Sequence, residues 1–221
     1  MAKINIRGDI IVNEWKWAYD YLGWDAVCPR DVQQIIDAAE HDEPLDVYIN
    51  SPGGIVEAGQ EIYTALRGDP RVKIHITGQA CSAASLIAMA GHCDITPVGL
   101  VMVHCSSLGY VSGNHNDMER AAQELSATDR AIANAYVTKS GMDLKEALRM
   151  MEKETWLTAN QCLELGLVDA ITPENAPAAK TAAMIGGVRL TEEIMQQVNE
   201  EIKAKETKRN AILADLDLYG V

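Results

Sequence analysis

A serine and a histidine, each at the end of a predicted strand, are the residues of this sequence best suited to chemistry. Ser82 follows a strand-like segment with Ile74 and Ile76 at alternate positions and a turn at Gly78. It begins a run of small residues that predicts a helix ending at Gly91. A hydroxyl at a helix N-terminus lies beside unpaired backbone N–H groups and in the positive field of the helix dipole. A serine nucleophile and its oxyanion need those conditions.

The same stretch also has a structural interpretation. Ser82 would then be a helix N-cap whose hydroxyl accepts a hydrogen bond from a backbone N–H, and Ser85 would be a solvent-exposed serine. A thiol nucleophile is a further alternative, because Cys81 precedes the serine and Cys105 follows a histidine. These interpretations differ in whether Ser82 has a base beside it.

His104 is the best placed of the five histidines to serve as that base. It ends the predicted strand 101–104, whereas the other histidines lie inside a strand, in a charged run or beside turns. Since the carboxyl ends of parallel strands meet at one edge of a sheet, Ser82 and His104 can converge there, together with Gly53 and Gly54. Taken alone, a histidine at a strand end is more often structural than catalytic. An Asp or Glu should orient the imidazole, and the sequence pattern does not choose among the acidic residues.

Strand and helix patterns alternate along the chain and predict an α/β fold with a mostly parallel sheet flanked by helices. The predicted strands are 4–12, 45–50, 74–78, 94–98, 101–104 and 167–171. The predicted helices are 29–39, 55–66, 82–91, 117–140, 144–151, 159–165 and 191–210. The segment 13–28, rich in tryptophan and tyrosine, is expected to be a loop folded back on the core, with a mobile flap as the alternative.

Three parts of the chain differ in composition. Residues 1–172 are expected to form the catalytic domain, 173–190 a linker rich in alanine and proline, and 191–221 a helical tail outside that domain. The long helix 117–140 carries a narrow apolar stripe, interrupted by Asp129. Such a helix either projects and packs on a partner copy or lies along its own domain, and the stripe fits both arrangements.

The composition is that of an acidic chain with enough apolar residues for a buried core. The formal net charge is −13 over 221 residues, and 48% of the residues are hydrophobic. Because so acidic a surface repels phosphate backbones and anionic lipids, we expect neither nucleic-acid nor membrane binding. No apolar run is long enough to span a bilayer, and the N-terminus lacks the apolar core of a secretion signal, so a cytoplasmic location is expected.

The polar and sulfur-containing residues predict no bound metal or cofactor. The five cysteines are odd in number, contain no CxxC pair and lie mostly in apolar contexts, so they are expected to be reduced. Neither the spacing typical of metal ligands nor a glycine-rich phosphate loop is found in the sequence.

Four motifs in order resemble the proteolytic subunit of Clp protease over residues 4–171. They are Tyr48–Gly54, Gly78–Ser82, Val101–His104, and Leu157–Ala159 with Gly166–Asp169. The resemblance implies a ClpP/crotonase-like fold of repeated β-β-α units with a projecting long helix. The residues that follow Ser82, the segment 154–159 and the tryptophan-rich segment look more like the phage-encoded branch, which is associated with maturation of the phage head.

The resemblance also implies roles for individual residues. Ser82 would be the nucleophile of a serine endopeptidase and His104 its general base, while the backbone N–H groups of Gly54 and Ala83 would form the oxyanion hole. The family has an aspartate as third catalytic residue, and alignment puts Glu154 at that position. Glutamate is one methylene longer, which is a departure from the family pattern. Cys105, after the histidine, is another departure, because the family has an amide or polar residue there.

The partners implied by the resemblance are further copies of this chain and a polypeptide substrate. The family commonly forms two stacked heptameric rings with the active sites inside, and the substrate of the phage branch is a scaffold or capsid protein of the phage head. The chain lacks the N-terminal segment that meets an ATPase in the housekeeping enzyme, so an ATPase partner is in doubt. Asp169 matches a family position outside the triad and is expected to be structural.

Three other functions fit parts of the same pattern. A bacterial housekeeping degradative subunit would work with an ATPase. A crotonase-type acyl-CoA enzyme would share the layered architecture and a backbone oxyanion hole, but it would use carboxylates instead of a serine–histidine pair. A non-catalytic ring scaffold is compatible with the substitution at Glu154.

Overall fold

One mixed sheet carries the fold in a computed structural model that describes residues 1–173 and 191–218. The strands are β1 (Ala2–Ile10), β2 (Ala26–Val27), β3 (Leu45–Gly54), β4 (Val72–Cys81), β5 (His92–Ile95), β6 (Leu100–Val103), β7 (Thr155–Thr158) and β8 (Ala170–Ile171). The helices are α1 (Lys16–Leu22), α2 (Pro29–Ala38), α3 (Val56–Leu66), α4 (Ala83–Ala88), α5 (His115–Ser140), α6 (Leu144–Glu152), α7 (Ala159–Glu164) and α8 (Glu192–Leu218), and a 3-10 turn spans Asn13–Trp15. The predicted linker lies, apart from Pro173, outside the described residues.

The sheet is parallel except at its last strand pair, which confirms the predicted fold class. Its main order is β2-β1-β3-β4-β5-β8, and every neighbouring pair in that series is parallel. β4 has two partners on the same side, because its first half pairs with β5 and its last three residues, Gln79–Cys81, pair with β6. β7 then adds to β6 in the antiparallel direction. The split of β4 brings the end of β6 to the end of β4.

The core lies between one face of the sheet and the helices that connect its strands. β4 presents Ile74 and Ile76 to the core, and α3 contributes Ala58, Ile62 and Leu66 at helical spacing. All six residues of α4 are buried, since α4 packs against α3 and against β3 and β4. Each isoleucine or leucine removed from water in this way stabilises the fold by about 1.5–3 kcal/mol.

The two strands that lead to the predicted site run further than the sequence pattern predicts. β3 continues past its predicted end at residue 50 through the Ser51–Gly54 segment, and β4 continues past Gly78 to Cys81. Neighbouring strands extend them, because Gly54 pairs with Ile10 of β1 and Ser51 pairs with Ala80 of β4. α4 is correspondingly shorter than the predicted helix 82–91.

The tryptophan-rich segment is a helix with a short strand, so the prediction of a loop was wrong. Tyr19 of α1 is fully buried, and its hydroxyl donates a 2.8 Å hydrogen bond to Asp9 of β1. Its ring meets Trp24 edge to face, with ring centroids 5.7 Å apart. Aromatic side chains that bury their rings and satisfy their polar atom stabilise such a segment against the body of the protein. The segment therefore packs on β1 as expected, although it does so as a helix.

The tail helix α8 contacts α1, so the prediction that the tail lies outside the compact body was wrong for its described first half. Val198 of α8 is buried, and Ile194 packs against the cluster around Tyr19. The Tyr21 hydroxyl donates to Glu201 at 2.9 Å and accepts from Lys205 at 2.6 Å. None of the described helices, α8 included, is long and apolar enough to cross a membrane.

The long helix α5 has one buried half and one exposed half. Its C-terminal half packs into the core through Ile132, Ala133, Ala135 and Tyr136. Its N-terminal half is exposed, and Met118 there is 40% accessible. The helix thus projects beyond the body of this chain, as the resemblance implied, and leaves part of its apolar stripe uncovered.

Asp169, expected to be structural, joins the segment before β8 to α5 and β5. Its carboxylate accepts hydrogen bonds from the Cys93 amide, at 2.7 Å, and from the Lys139 ammonium group. Lys139 also donates to the Gly91 carbonyl at 2.9 Å. Burial alone would raise the pKa of Asp169, but the hydrogen bonds from Cys93 and Lys139 outweigh it, so the pKa is lowered.

We predict that Lys139→Met destabilises the fold by about 1–2 kcal/mol near neutral pH, a range reduced because Asp169 is partly exposed. A lowered carboxylate pKa contributes stability above the unfolded pKa of about 3.9, and that contribution is lost as the pH falls through the folded value. The difference between wild type and variant in the free energy of unfolding should therefore shrink in acid. Urea denaturation at several pH values measures it. Lys145→Met, on the exposed face of α6, is the control, and an equal loss in both variants would contradict the prediction.

Candidate active site

Ser82 connects β4 to α4 in an unusual backbone conformation. Its φ is 55° and its ψ is −124°, a combination that costs an ordinary residue roughly 1–3 kcal/mol. Its amide donates to the Met102 carbonyl of β6 at 2.9 Å, and its own carbonyl accepts from the amides of Ser85, at 2.9 Å, and Leu86, at 3.3 Å. The neighbouring strand and the first turn of α4 together maintain the strained conformation.

The Ser82 hydroxyl oxygen lies 2.7 Å from Nε2 of His104. The cause is the pairing of β4 with β6, in which Cys81 is the partner of Met102. Because the two strands are parallel, the residues that follow them leave the same edge of the sheet. The Ser82 side chain makes no capping hydrogen bond to α4, so the N-cap interpretation of Ser82 was wrong.

Gly54 and Ala83 lie beside this pair, and with Ser82 and His104 they line a cavity of about 60 Å³. A Cβ atom on Gly54 would lie 2.1 Å from the Ile10 carbonyl oxygen. Only glycine therefore lets β3 approach β1 this closely at its carboxyl end. Ala83 begins α4, so its N–H group has no partner inside the helix.

Glu154 lies in the same groove but does not contact the imidazole. It follows α6 with a positive φ of 49°, is solvent-exposed, and lines a groove of about 330 Å³ with Ser82, His104 and Trp156. No carboxylate of the described residues lies within ion-pair distance of a His104 ring nitrogen. The fold thus brings together four of the five predicted site residues, and the fifth is nearby.

The segment after His104 is attached to α5 by a carboxylate. The Ser106 amide and hydroxyl both donate to Asp129, at 2.6 Å and 2.7 Å. Sequence analysis did not assign this contact, although Asp129 was noted as the residue that interrupts the apolar stripe of α5. A carboxylate in such a stripe is a signal that something polar is packed against the helix.

A second contact from α5 reaches the segment after Ser82, and here the sequence-based interpretation was wrong. Ser85, which the cap interpretation made a solvent-exposed serine, is fully buried. Its hydroxyl donates to the Ser82 carbonyl at 2.6 Å and lies 2.8 Å from the Tyr136 hydroxyl. Nothing in the sequence pattern pairs these residues, since they are 51 positions apart.

The thiols near the site are poorly suited to act as nucleophiles. Burial raises the pKa of Cys81 to about 11 and that of Cys105 to about 11. Because the thiolate is the reactive form, both side chains remain protonated near neutral pH. All five cysteines are free, which is compatible with reduced thiols.

Together, the geometry defines an α/β protein with a serine–histidine pair and two backbone amides at the carboxyl edge of a parallel sheet. The fold is similar to that of a ClpP1 mutant from Listeria monocytogenes, with a TM-score of 0.63 and 22% sequence identity over 79% of this chain and 92% of that chain. Residues 31–175 match the family model described as Clp protease. The chain therefore belongs to the Clp protease family, a family of serine peptidases that act on polypeptides.

We predict that Gly53→Ala lowers the reactivity of Ser82 by about 10²-fold, the loss typical of a displacement of about 1 Å. Gly53 has a φ of 100°, and a Cβ there would lie 2.6 Å from both the Cys81 carbonyl oxygen and the Ser82 Cβ. The rate of labelling by a fluorophosphonate measures the effect. Gly68→Ala is the matched control, because Gly68 also has a positive φ, of 82°, but nothing lies within 4 Å of the added atom. Equal losses in both variants would attribute the effect to backbone strain alone.

Proposed function

We propose that this protein is a serine endopeptidase with Ser82 as nucleophile and His104 as general base. The observation that carries the proposal is the 2.7 Å contact between the Ser82 hydroxyl and Nε2 of His104. A neutral imidazole at that distance takes the hydroxyl proton as the oxygen attacks a peptide carbonyl. Membership of the Clp protease family supports the same class of reaction.

The backbone N–H groups of Gly54 and Ala83 stabilise the negative charge that develops on the substrate carbonyl oxygen. Such donors act without reorganisation, and the loss of one typically costs 10²–10³ in rate. The His104 imidazolium then gives its proton to the leaving amine, which leaves an acyl ester on Ser82. Water, activated by His104 in turn, attacks the ester, releases the carboxylate product and returns the proton to Ser82.

Glu154 is our proposal for the third catalytic residue. The motif resemblance puts it at the position of the family's aspartate, and it shares the groove with His104. Because its side chain is exposed and has three rotatable bonds, it can turn toward the imidazole when a substrate or a neighbouring subunit covers the groove. Its carboxylate would then hold the ring in the tautomer that accepts the serine proton.

The assembly we propose is a ring of copies of this chain, heptameric or a double heptamer, with the groove facing the inside. Family membership implies a ring, and the exposed half of α5 supplies an uncovered helix face for packing between copies. The domain organisation we propose is a protease domain over residues 1–172, a linker over 173–190 and a helical tail over 191–221 whose helix α8 contacts α1 of that domain. The residues after Ser82 and the segment 154–159 favour a head maturation protease that cleaves a phage scaffold or capsid protein in the bacterial cytoplasm.

Two other functions remain as outcomes of experiment. A housekeeping degradative subunit would co-purify with an ATPase and depend on it. A non-catalytic ring is favoured by one observation, which is that Glu154 does not contact His104. Family membership argues against the crotonase-type acyl-CoA enzyme.

We predict that Ser82→Ala reduces cleavage of an unfolded polypeptide by at least about 10³-fold, because it removes the nucleophile. The variant should assemble as wild type does, and the fluorophosphonate label should map to Ser82 in wild type. Ser112→Ala, in the exposed segment before α5, should keep full activity. Cleavage by Ser82→Ala at the wild-type rate would reject Ser82, and a wild-type ring that neither cleaves nor labels would favour the non-catalytic ring.

We also predict that Glu154→Gln lowers kcat by about 10²–10⁴-fold while the thermal midpoint stays unchanged, since the exposed side chain contributes to catalysis and not to packing. Glu154→Asp, which restores the family residue, should keep most of the activity. Glu152→Gln, exposed at the end of α6, is the control for the loss of a charge. Full activity in Glu154→Gln would mean that Ser82 and His104 work as a dyad.

A further inference from the structure

We propose that Ser85 and Tyr136 are positioning residues that aim one of the oxyanion-hole amides. The inference rests on the proposed function and deepens it, because it names residues that act through the Ser82–Ala83 peptide. Tyr136 lines the same cavity as Ser82, but its hydroxyl is bonded to the fully buried Ser85 hydroxyl, so neither hydroxyl is assigned a contact with the substrate.

The direction of the hydrogen bonds follows from the number of protons. Ser85 has one hydroxyl proton, and it is donated to the Ser82 carbonyl at 2.6 Å. The 2.8 Å contact with Tyr136 must therefore be donated by the tyrosine. The result is a chain of two bonds that runs from the Tyr136 hydroxyl through Ser85 to the Ser82 carbonyl.

The two hydrogen bonds are buried. Ser85 is fully buried and Tyr136 is 3% accessible. Burial raises the pKa of Tyr136 to about 12, so the phenol remains a neutral donor at the pH of any assay. In a low-dielectric interior, each bond of such a chain strengthens the next.

These hydrogen bonds hold the Ser82–Ala83 peptide, which carries one of the proposed oxyanion-hole amides. The Ser82 carbonyl and the Ala83 N–H belong to the same planar peptide unit and, in a trans peptide, point in opposite directions. Fixing the carbonyl on the Ser85 side consequently fixes the N–H on the other side. Ala83 lines the cavity that also contains Ser82, Gly54 and His104.

The strain at Ser82 explains why an additional hydrogen bond is needed. With φ of 55° and ψ of −124°, the Ser82 peptide lies outside the conformations that alanine or serine prefers, and it would relax by rotation if released. The amides of Ser85 and Leu86 also hold the carbonyl, at 2.9 Å and 3.3 Å. The Ser85 hydroxyl provides the shortest of the three contacts.

The test uses Tyr136→Phe, Ser85→Ala and the double variant in the assembled protein. A donor that is misaligned but still present should cost less than the 10²–10³ of a missing one, so we expect kcat for a peptide substrate to fall about tenfold with KM unchanged. Because both residues act through the same pair of hydrogen bonds, kcat of the double variant should fall no further than kcat of Ser85→Ala does. Thr138→Val, which removes a 2.7 Å hydroxyl-to-carbonyl bond to Asn134 on the exposed side of the same helix, should keep the wild-type kcat.

A purely structural role would give a different result. Ser85→Ala leaves the Tyr136 hydroxyl buried without an acceptor and should lower the thermal midpoint, whereas the double variant removes both polar groups and should recover most of it. Positioning predicts that the double variant stays slow despite its recovered stability. A double variant with wild-type kcat would overturn the inference, and so would rate losses that simply multiply.

The two proposals fail in different ways. If wild type is not labelled by a fluorophosphonate at Ser82, the proposed function fails. If wild type is labelled and all three variants are labelled at the wild-type rate, the function stands and the positioning role is rejected. We expect complete but slower labelling of Ser82 in each variant.

Discussion

The pairing of β4 with two strands on the same side is the constraint on which the site depends. Its first half is taken by β5, and Gln79–Cys81 pair with β6. If β4 paired with β5 along its whole length, no strand would bring His104 to the end of β4. Because β6 pairs with β4 just beyond the part that β5 covers, two residues 22 positions apart come within 2.7 Å of each other. The hydrogen bond between them is thus a product of sheet topology.

Two side chains of α5 hold the segments that follow Ser82 and His104. Asp129 holds the segment after His104 through Ser106, and Tyr136 holds the segment after Ser82 through Ser85. The two α5 residues are seven positions apart, close to two turns of a helix, so they face the same side. A single rigid helix therefore sets the separation of two segments that come from different strands. The same helix extends outward with an exposed half, which links the support of the site to the part of the molecule available for packing between copies.

Much of the fold is visible in the sequence because burial on a regular element leaves a period. Alternate isoleucines in β4 and the spacing of Ala58, Ile62 and Leu66 in α3 predicted the type of those elements correctly. Element ends were predicted less well, since they depend on neighbours: the Ser51–Gly54 segment has the composition of a turn but pairs with strands on both sides. The tryptophan-rich segment was taken for a loop because the contacts of Tyr19 with β1 and of α1 with α8 have no periodic signal.

By itself, the sequence determined the parallel α/β architecture, the position of Ser82 and His104 after two of its strands, and the glycines beside them, since each depends on local pattern or on residue type. Only the tertiary structure decided that Ser85 is buried against Tyr136 and that Asp129 accepts hydrogen bonds from Ser106. It also decided that Glu154 does not contact the imidazole. Those facts depend on contacts between distant segments. Such contacts leave no periodic mark in a chain, because a hydrogen bond requires a distance and a direction that only packing supplies.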